Sequence, residues 1–158
     1  MRPAILALDL EGTLISNAVS QIPRPGLYAF LDHVQRQFGQ LVMFTTVEET
    51  LFRQIAQLLV IEGKAPAWFS ELPYTTWSGP TKDLTNVSRL LGEALLLDDH
   101  GPYVHPGQRH LWVEIPLFEP PYLPEDDGFE IAARRLQDRI RDLNVGEIAS
   151  ARGGELKP

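Results

Sequence analysis

The chain contains no cysteine, which excludes disulfide staples and thiolate metal sites and fits a reducing, cytoplasmic setting. No apolar run is long enough to span a bilayer, and the run after Met1-Arg2-Pro3 is too short for the core of a secretory leader. A soluble protein with no membrane partner is therefore expected. The glycines form neither a P-loop nor a dinucleotide-binding pattern, and no internal repeat is present. Positive charge is scarce. The 14 Lys and Arg against 21 Asp and Glu leave a net charge of −7. That balance argues against a broad nucleic-acid surface and obliges an anionic ligand to find local cations.

What is present reads as one domain. At 158 residues and 44% hydrophobic content the chain suits a single core. The domain is expected over residues 1–149, with a tail over 150–158 that lacks apolar periodicity and is read as disordered. Apolar runs alternate with amphipathic segments, the pattern of an α/β protein with parallel strands and crossover helices. Ala4–Leu8, Leu41–Phe44, Ala94–Leu97 and Leu111–Glu114 read as strands, with a further short strand around Trp68-Phe69-Ser70. Helices are expected from Pro25-Gly26 to about Phe38, and from Val47-Glu48-Glu49 with Leu51, Phe52, Ile55, Leu58 and Leu59 on one side. Two more are expected, a short one from Lys82-Asp83-Leu84 to Leu91 and another over Phe129–Leu143. The mixed charges of the last helix suit a solvated face.

The first strand runs straight into Asp9-Leu10-Glu11-Gly12-Thr13. In open α/β sheets ligands bind at the carboxyl edge, and two nearby acids can divide nucleophilic and proton-transfer roles. Two further strands deliver polar groups to the same edge: Thr45 follows Leu41–Phe44, and Asp98-Asp99 follow Ala94–Leu97. Lys82 lies in a loop ahead of the latter strand. Singly, these have plainer readings: a helix cap for Thr45, a turn for the Asp pair, a solvated lysine. Together they suit attack of a carboxylate on a phosphate monoester. Its obstacle is anion repulsion, on the order of 4 kcal/mol per like-charge pair at about 4 Å and an effective dielectric of about 20. Mg²⁺ held by Asp9 and the Asp98/Asp99 pair would offset it. Lys82 and the Thr45 hydroxyl would hold the other phosphoryl oxygens, and Glu11 would protonate the leaving oxygen and then activate water.

These segments carry a family resemblance. Ile5–Leu14, Arg24-Pro25-Gly26, Leu41–Thr45, Lys82-Asp83-Leu84 and Leu97-Asp98-Asp99 with His105-Pro106 resemble, in order, the motifs of haloacid dehalogenase (HAD) superfamily phosphatases. The closest branch comprises the RNA polymerase II C-terminal-domain phosphatases and the NLI-interacting-factor-like small phosphatases. The resemblance implies a Rossmann-like, doubly wound parallel sheet. It also implies an Mg²⁺-dependent phosphatase that forms an aspartyl-phosphate. Asp9 matches the nucleophile, Glu11 the acid/base, Thr45 and Lys82 the phosphate contacts, and Asp98/Asp99 the metal acids. Asp99 is the preferred direct ligand of the pair, and the backbone carbonyl of Glu11 would also ligate the metal.

The chain departs from the pattern in two places. Glu11 stands where the family usually has Asp, moving the carboxyl by roughly 1 Å, a shift that can cost on the order of a hundredfold. The segment between Thr13 and Pro23 is too short for a cap domain or the substrate insertion of the eukaryotic relatives. A capless, open site would admit a bulky phosphate ester, such as a phosphoprotein. Two alternatives remain: a catalytically degenerate protein-binding module, and a nucleic-acid end phosphatase, which the acidic balance disfavours. His100, His105 and His110 are not spaced for one helical face and make a weak zinc set. Trp77 and Trp112 read as packing residues, Asp83 as a helix cap, and Arg24 and Arg109 as candidates for the site mouth.

Overall fold

Four short apolar runs become the strands of one sheet in a computed structural model that describes residues 3–154. The strands are β1 (Ile5–Leu8), β2 (Gln40–Met43), β3 (Ala94–Asp98) and β4 (Trp112–Glu114). Every residue of β1 and β3 is buried, as expected for parallel strands covered on both faces. The order is β2-β1-β3-β4 and every pairing is parallel, with Leu8 opposite Met43 on one side and Leu97 on the other. The chain thus leaves β1 in one direction to form β2 and returns past it to form β3. Right-handed crossovers taken in opposite directions place their connections on opposite faces of the sheet. This open α/β arrangement is compatible with a Rossmann-like fold, and its strand order reverses at the carboxyl ends of β1 and β3.

Helix α1 (Leu27–Gln37) buries Leu27, Phe30, Leu31 and Val34. Helix α2 (Glu49–Ile61) buries Phe52, Ile55, Ala56 and Leu59. Leu51 and Leu58, expected on that stripe, lie on its flanks and are exposed, because the i, i+3, i+4, i+7 positions are filled by the other set. Helix α3 (Gly128–Gly154) is longer than expected and runs through Ser150 into the segment read as disordered. Residues 143–152 contain no proline and several good helix formers, which lets the helix continue. The remainder of that tail, 155–158, lies outside the described residues. Phe129 at the start of α3 stacks on Phe30 of α1, with centroids 4.4 Å apart.

Two expected elements are replaced. Trp68-Phe69-Ser70 lies in a 3-10 turn (Ala67–Glu71) rather than a strand. The edge of β2 pairs instead with the segment beyond it: Met43 N–H donates to the Pro73 carbonyl, and Thr75 N–H to the Met43 carbonyl. The turn itself sets Phe69 edge-on against Phe52. The helix expected from Lys82 to Leu91 is reduced to a 3-10 turn at Leu84–Asn86, capped by Asp83 as anticipated. Past it, Ser88 bonds to Glu93 and to the backbone of Leu90, a competition with helical bonding typical of this side chain.

Arg24 does not line a mouth. It is fully buried, and its guanidinium donates to both carboxylate oxygens of Asp126 (2.7 and 3.3 Å) and to the Thr13 carbonyl (3.2 Å). Phe118 and Phe129 flank it at 5.4 and 5.6 Å. This clamp ties the segment leading into α3 to the loop after β1. Arg109, by contrast, is exposed and lies 5.6 Å over the Trp112 ring.

The clamp needs a glycine beside it. A Cβ on Gly128 would lie 1.9 Å from Arg24 Nη2, whereas one on Gly146 meets nothing within 4 Å. Gly128→Ala should lower stability by about 1–3 kcal/mol, while Gly146→Ala in the same helix should raise it by about 0.5–1 kcal/mol. Urea denaturation of the two variants checks this contrast.

Candidate active site

Asp9 is placed by the end of β1, where its N–H donates to the Leu97 carbonyl of β3. Leu10 then turns inward and is completely buried, and its carbonyl accepts from Thr13, Leu14 and Ile15. The resulting tight turn carries Gly12 at φ 75°, a left-handed conformation that suits glycine. A Cβ there would also lie 2.8 Å from Asp99 Oδ2, so the glycine admits the acid as well as the turn.

The turn brings Thr13 back against Asp9. Its Oγ1 lies 3.0 Å from Asp9 Oδ2 and 2.9 Å from Asp99 Oδ1. One hydroxyl has one hydrogen to give, so it cannot satisfy two ionised carboxylates. The Lys82 ammonium lies 2.9 Å from Asp9 Oδ1 and 2.6 Å from Asp98 Oδ2, with the lysine completely buried. Its backbone is fixed by donation from Lys82 N–H to the Tyr103 carbonyl at 2.7 Å. On its flank, Gln108 bonds to both Leu84 and Asp83.

Both Asp98 oxygens already accept a hydrogen bond. Oδ2 takes Lys82, and Oδ1 accepts from His100 N–H at 2.9 Å. Asp9, Asp98 and Asp99 each offer an oxygen within 4.8 Å of the others. Asp9, like Asp98, has both oxygens engaged, by Lys82 and Thr13, which leaves Asp99, bonded to Thr13 through Oδ1, as the acid with the freer coordination. With all three ionised, three carboxylates against one ammonium leave this cluster with an excess of negative charge.

The titration behaviour reflects that excess. Burial pushes the Asp98 carboxyl up to about 7, with the Asp9 charge adding to it. Burial, a hydrogen bond to Asp9 and the Asp9 charge push Asp99 up to about 7. Burial alone would lower the Lys82 pKa, but the Asp9 and Asp98 carboxylates outweigh it and hold the ammonium above its ordinary value.

Two of the expected residues do not join this network. Thr45 is buried just past β2, its Oγ1 accepting from Val47 N–H at 3.1 Å and its carbonyl accepting from the Trp77 indole at 2.8 Å. Glu11 Oε2 accepts from Ala18 N–H at 2.8 Å, so one carboxylate oxygen holds the adjoining loop. That loop folds back tightly, with Ser16 N–H donating to the Ile22 carbonyl. Among the histidines, His105 Nδ1 pairs with the Thr81 hydroxyl at 2.7 Å and Nε2 lies 3.5 Å from Asp83. His100 packs edge-on against Tyr103.

Sequence reasoning assigned no role to Thr13 or Asp126. A larger groove of about 600 Å³ lies away from the carboxylates, lined by Pro25, Phe30, Pro124 and Phe129 among others. Asp126 lines it, but none of Asp9, Asp98 and Asp99 does. No known family model matches the sequence, and no curated protein matches it.

The cluster makes stability depend on pH. Asp98 and Asp99 keep their protons in the folded chain up to about 7, whereas an unfolded Asp releases its proton near about 3.9. The folded state binds more protons across that interval, so its stability falls as pH rises through it. Asp83, held low mainly by a hydrogen bond from the Thr85 backbone, works oppositely, but only at more acidic pH. In chelator, the melting temperature should therefore be higher near about pH 5 than near about pH 8, and a divalent cation should narrow the gap. A melting temperature that rose over the same interval in chelator would contradict the charge excess.

Proposed function

We propose that the chain is a capless, Mg²⁺-dependent phosphomonoester hydrolase of the HAD type that works through an aspartyl-phosphate. The observation that carries this reading is the Asp9 carboxylate, held between the Lys82 ammonium and the Thr13 hydroxyl at the point where the strand order reverses. The arrangement has the requirements of a nucleophile. It is oriented, it sits beside a fixed cation, and it lies where α/β sheets bind ligands.

The donor set fits a hard cation. It is all oxygen, it carries excess negative charge, and the single Thr13 hydrogen cannot satisfy both neighbouring carboxylates. Asp9, Asp99 and the Glu11 carbonyl would hold the ion, with Asp98 as the partner of Lys82. When bound, Mg²⁺ offsets the repulsion between carboxylate and phosphate and polarises a phosphoryl oxygen.

In the first half-reaction an Asp9 oxygen bonds to phosphorus as the ester oxygen leaves, and the leaving oxygen takes a proton from Glu11. In the second, water gives a proton back to Glu11 as its oxygen bonds to phosphorus and the Asp9–phosphorus bond breaks. Lys82 and the Thr45 hydroxyl hold phosphoryl oxygens. The engagement of Glu11 with Ala18 favours a second reading, a degenerate module that binds without turnover. The short loop over 14–23 leaves the site open, which suits a phosphorylated macromolecule as substrate.

Phosphate release from a generic aryl phosphate in Mg²⁺ separates these readings. Asp9→Asn should reduce turnover by about a thousandfold or more, and chelator should abolish it. Glu11→Gln should cost about 10²–10⁴-fold. No turnover by folded wild-type protein would favour the binding module.

A further inference from the structure

A cavity of about 360 Å³ opens beside Thr45, and its lining includes Thr46, Glu48, Tyr74, Thr76 and Trp77. Trp77 is its most constrained wall. The bond from its indole to the Thr45 carbonyl orients the ring, which packs edge-on against Phe44 and Tyr103 with centroids 5.8 and 6.0 Å away. Tyr103 continues the strip inward, its ring centroid 5.1 Å from the Lys82 ammonium. A chain of ring contacts thus links the Lys82 ammonium to the Trp77 wall of the cavity.

We propose that this cavity is the leaving-group subsite and that it takes the ring of an aryl phosphate monoester of the phosphotyrosine type. The inference rests on the phosphatase reading above and adds its substrate class. Ring-on-ring contact with Trp77 favours a flat aromatic group over an alkyl chain. Glu48 lines the same cavity, so a leaving group that is itself anionic meets like charge. That negative field is felt by Tyr74, whose hydroxyl is raised first by burial and then by Glu49 and Glu48.

The chemistry points the same way. As an Asp9 oxygen bonds to phosphorus, the phosphorus–phenol oxygen bond breaks and its electron pair goes to the phenol oxygen. With a pKa near about 10, a phenol leaves with less help from an acid than an alkanol does. This suits a Glu11 with one oxygen already engaged by Ala18. The proton that Glu11 gives to the phenol oxygen is returned by the water that hydrolyses the aspartyl-phosphate, so the products are the phenol and inorganic phosphate.

The test compares kcat/KM in Mg²⁺ for a phosphotyrosyl peptide, a phosphoseryl peptide of otherwise identical sequence, and an oligonucleotide 3′-phosphate. Wild type, Trp77→Phe, Trp77→Ala and Glu48→Gln are assayed. Wild type should prefer the phosphotyrosyl peptide by about tenfold or more over the phosphoseryl peptide. The ratio should survive Trp77→Phe and collapse in Trp77→Ala, and Glu48→Gln should raise the relative rate on the oligonucleotide. Equal or greater activity on phosphoserine, a ratio indifferent to Trp77→Ala, or an oligonucleotide as the best substrate would overturn the proposal. If Trp77→Ala fails to fold, Trp77→Leu takes its place, because leaving-group chemistry alone favours phosphotyrosine and only a ratio that depends on the Trp77 ring reports the cavity. Turnover without preference sinks this inference alone, whereas no turnover of any phosphate ester, including a small alkyl phosphate, sinks the phosphatase reading with it.

Discussion

A lysine ammonium with no exposure to solvent, shared between two carboxylates, is the interaction on which the carboxyl end of this sheet depends. Removing one partner of such a buried set typically costs about 3–5 kcal/mol, because the remaining charge is left without water or counter-ion. Lys82 therefore constrains three things at once. It fixes the orientation of Asp9, it occupies Asp98, and it anchors the loop between α2 and β3 to the sheet. One ammonium cannot balance three acids, and the shortfall leaves Asp9 and Asp99 crowded around a single hydroxyl hydrogen. A group that binds there and supplies positive charge gains stability as well as chemistry.

The support for this cluster comes from far along the chain. Arg24, Asp126 and the two phenylalanines around the guanidinium fix the carbonyl of Thr13, whose hydroxyl bridges the acids. The loop after β1 is thus held from both sides, by Lys82 through Asp9 and by Arg24 through the backbone. A site so braced keeps its carboxylates in place while their charges repel, as preorganised catalysis requires. The ring contact from Tyr103 to Trp77 then carries the packing on from Lys82 to the cavity beside Thr45.

Much of this was legible in the sequence because strand ends are easy to read. The continuous apolar runs before Asp9, Thr45 and Asp98 allow little but buried parallel strands, and a parallel sheet gathers the residues at its strand ends along one edge. The convergence of Asp9, Asp98 and Asp99 is a consequence of that geometry, whereas Lys82 comes in from the loop between α2 and β3, held there by its N–H bond to the Tyr103 carbonyl. Segments whose conformation is decided by tertiary partners were harder. Trp68–Ser70 looks like a strand by composition, yet β2 takes its pairing from the Pro73–Thr75 segment. The stretch after Lys82 starts with a good cap but carries Ser88, which bonds elsewhere. Arg24 reads as a candidate for the site mouth because nothing nearby in sequence announces Asp126 or the two aromatic rings. Thr13 lay within the motif, but its role depends on a four-residue return that only the Gly12 turn makes possible.

The central claim is that the braced Asp9 carboxylate forms a covalent bond to phosphorus, and borohydride trapping tests it directly. Protein incubated with an aryl phosphate and Mg²⁺, then quenched with borohydride, should carry homoserine at position 9, the reduction product of an aspartyl-phosphate, as read by peptide mass spectrometry. The product should vanish with chelator. Homoserine at another aspartate, or phosphate release with Asp9 unmodified under trapping conditions, would contradict the account.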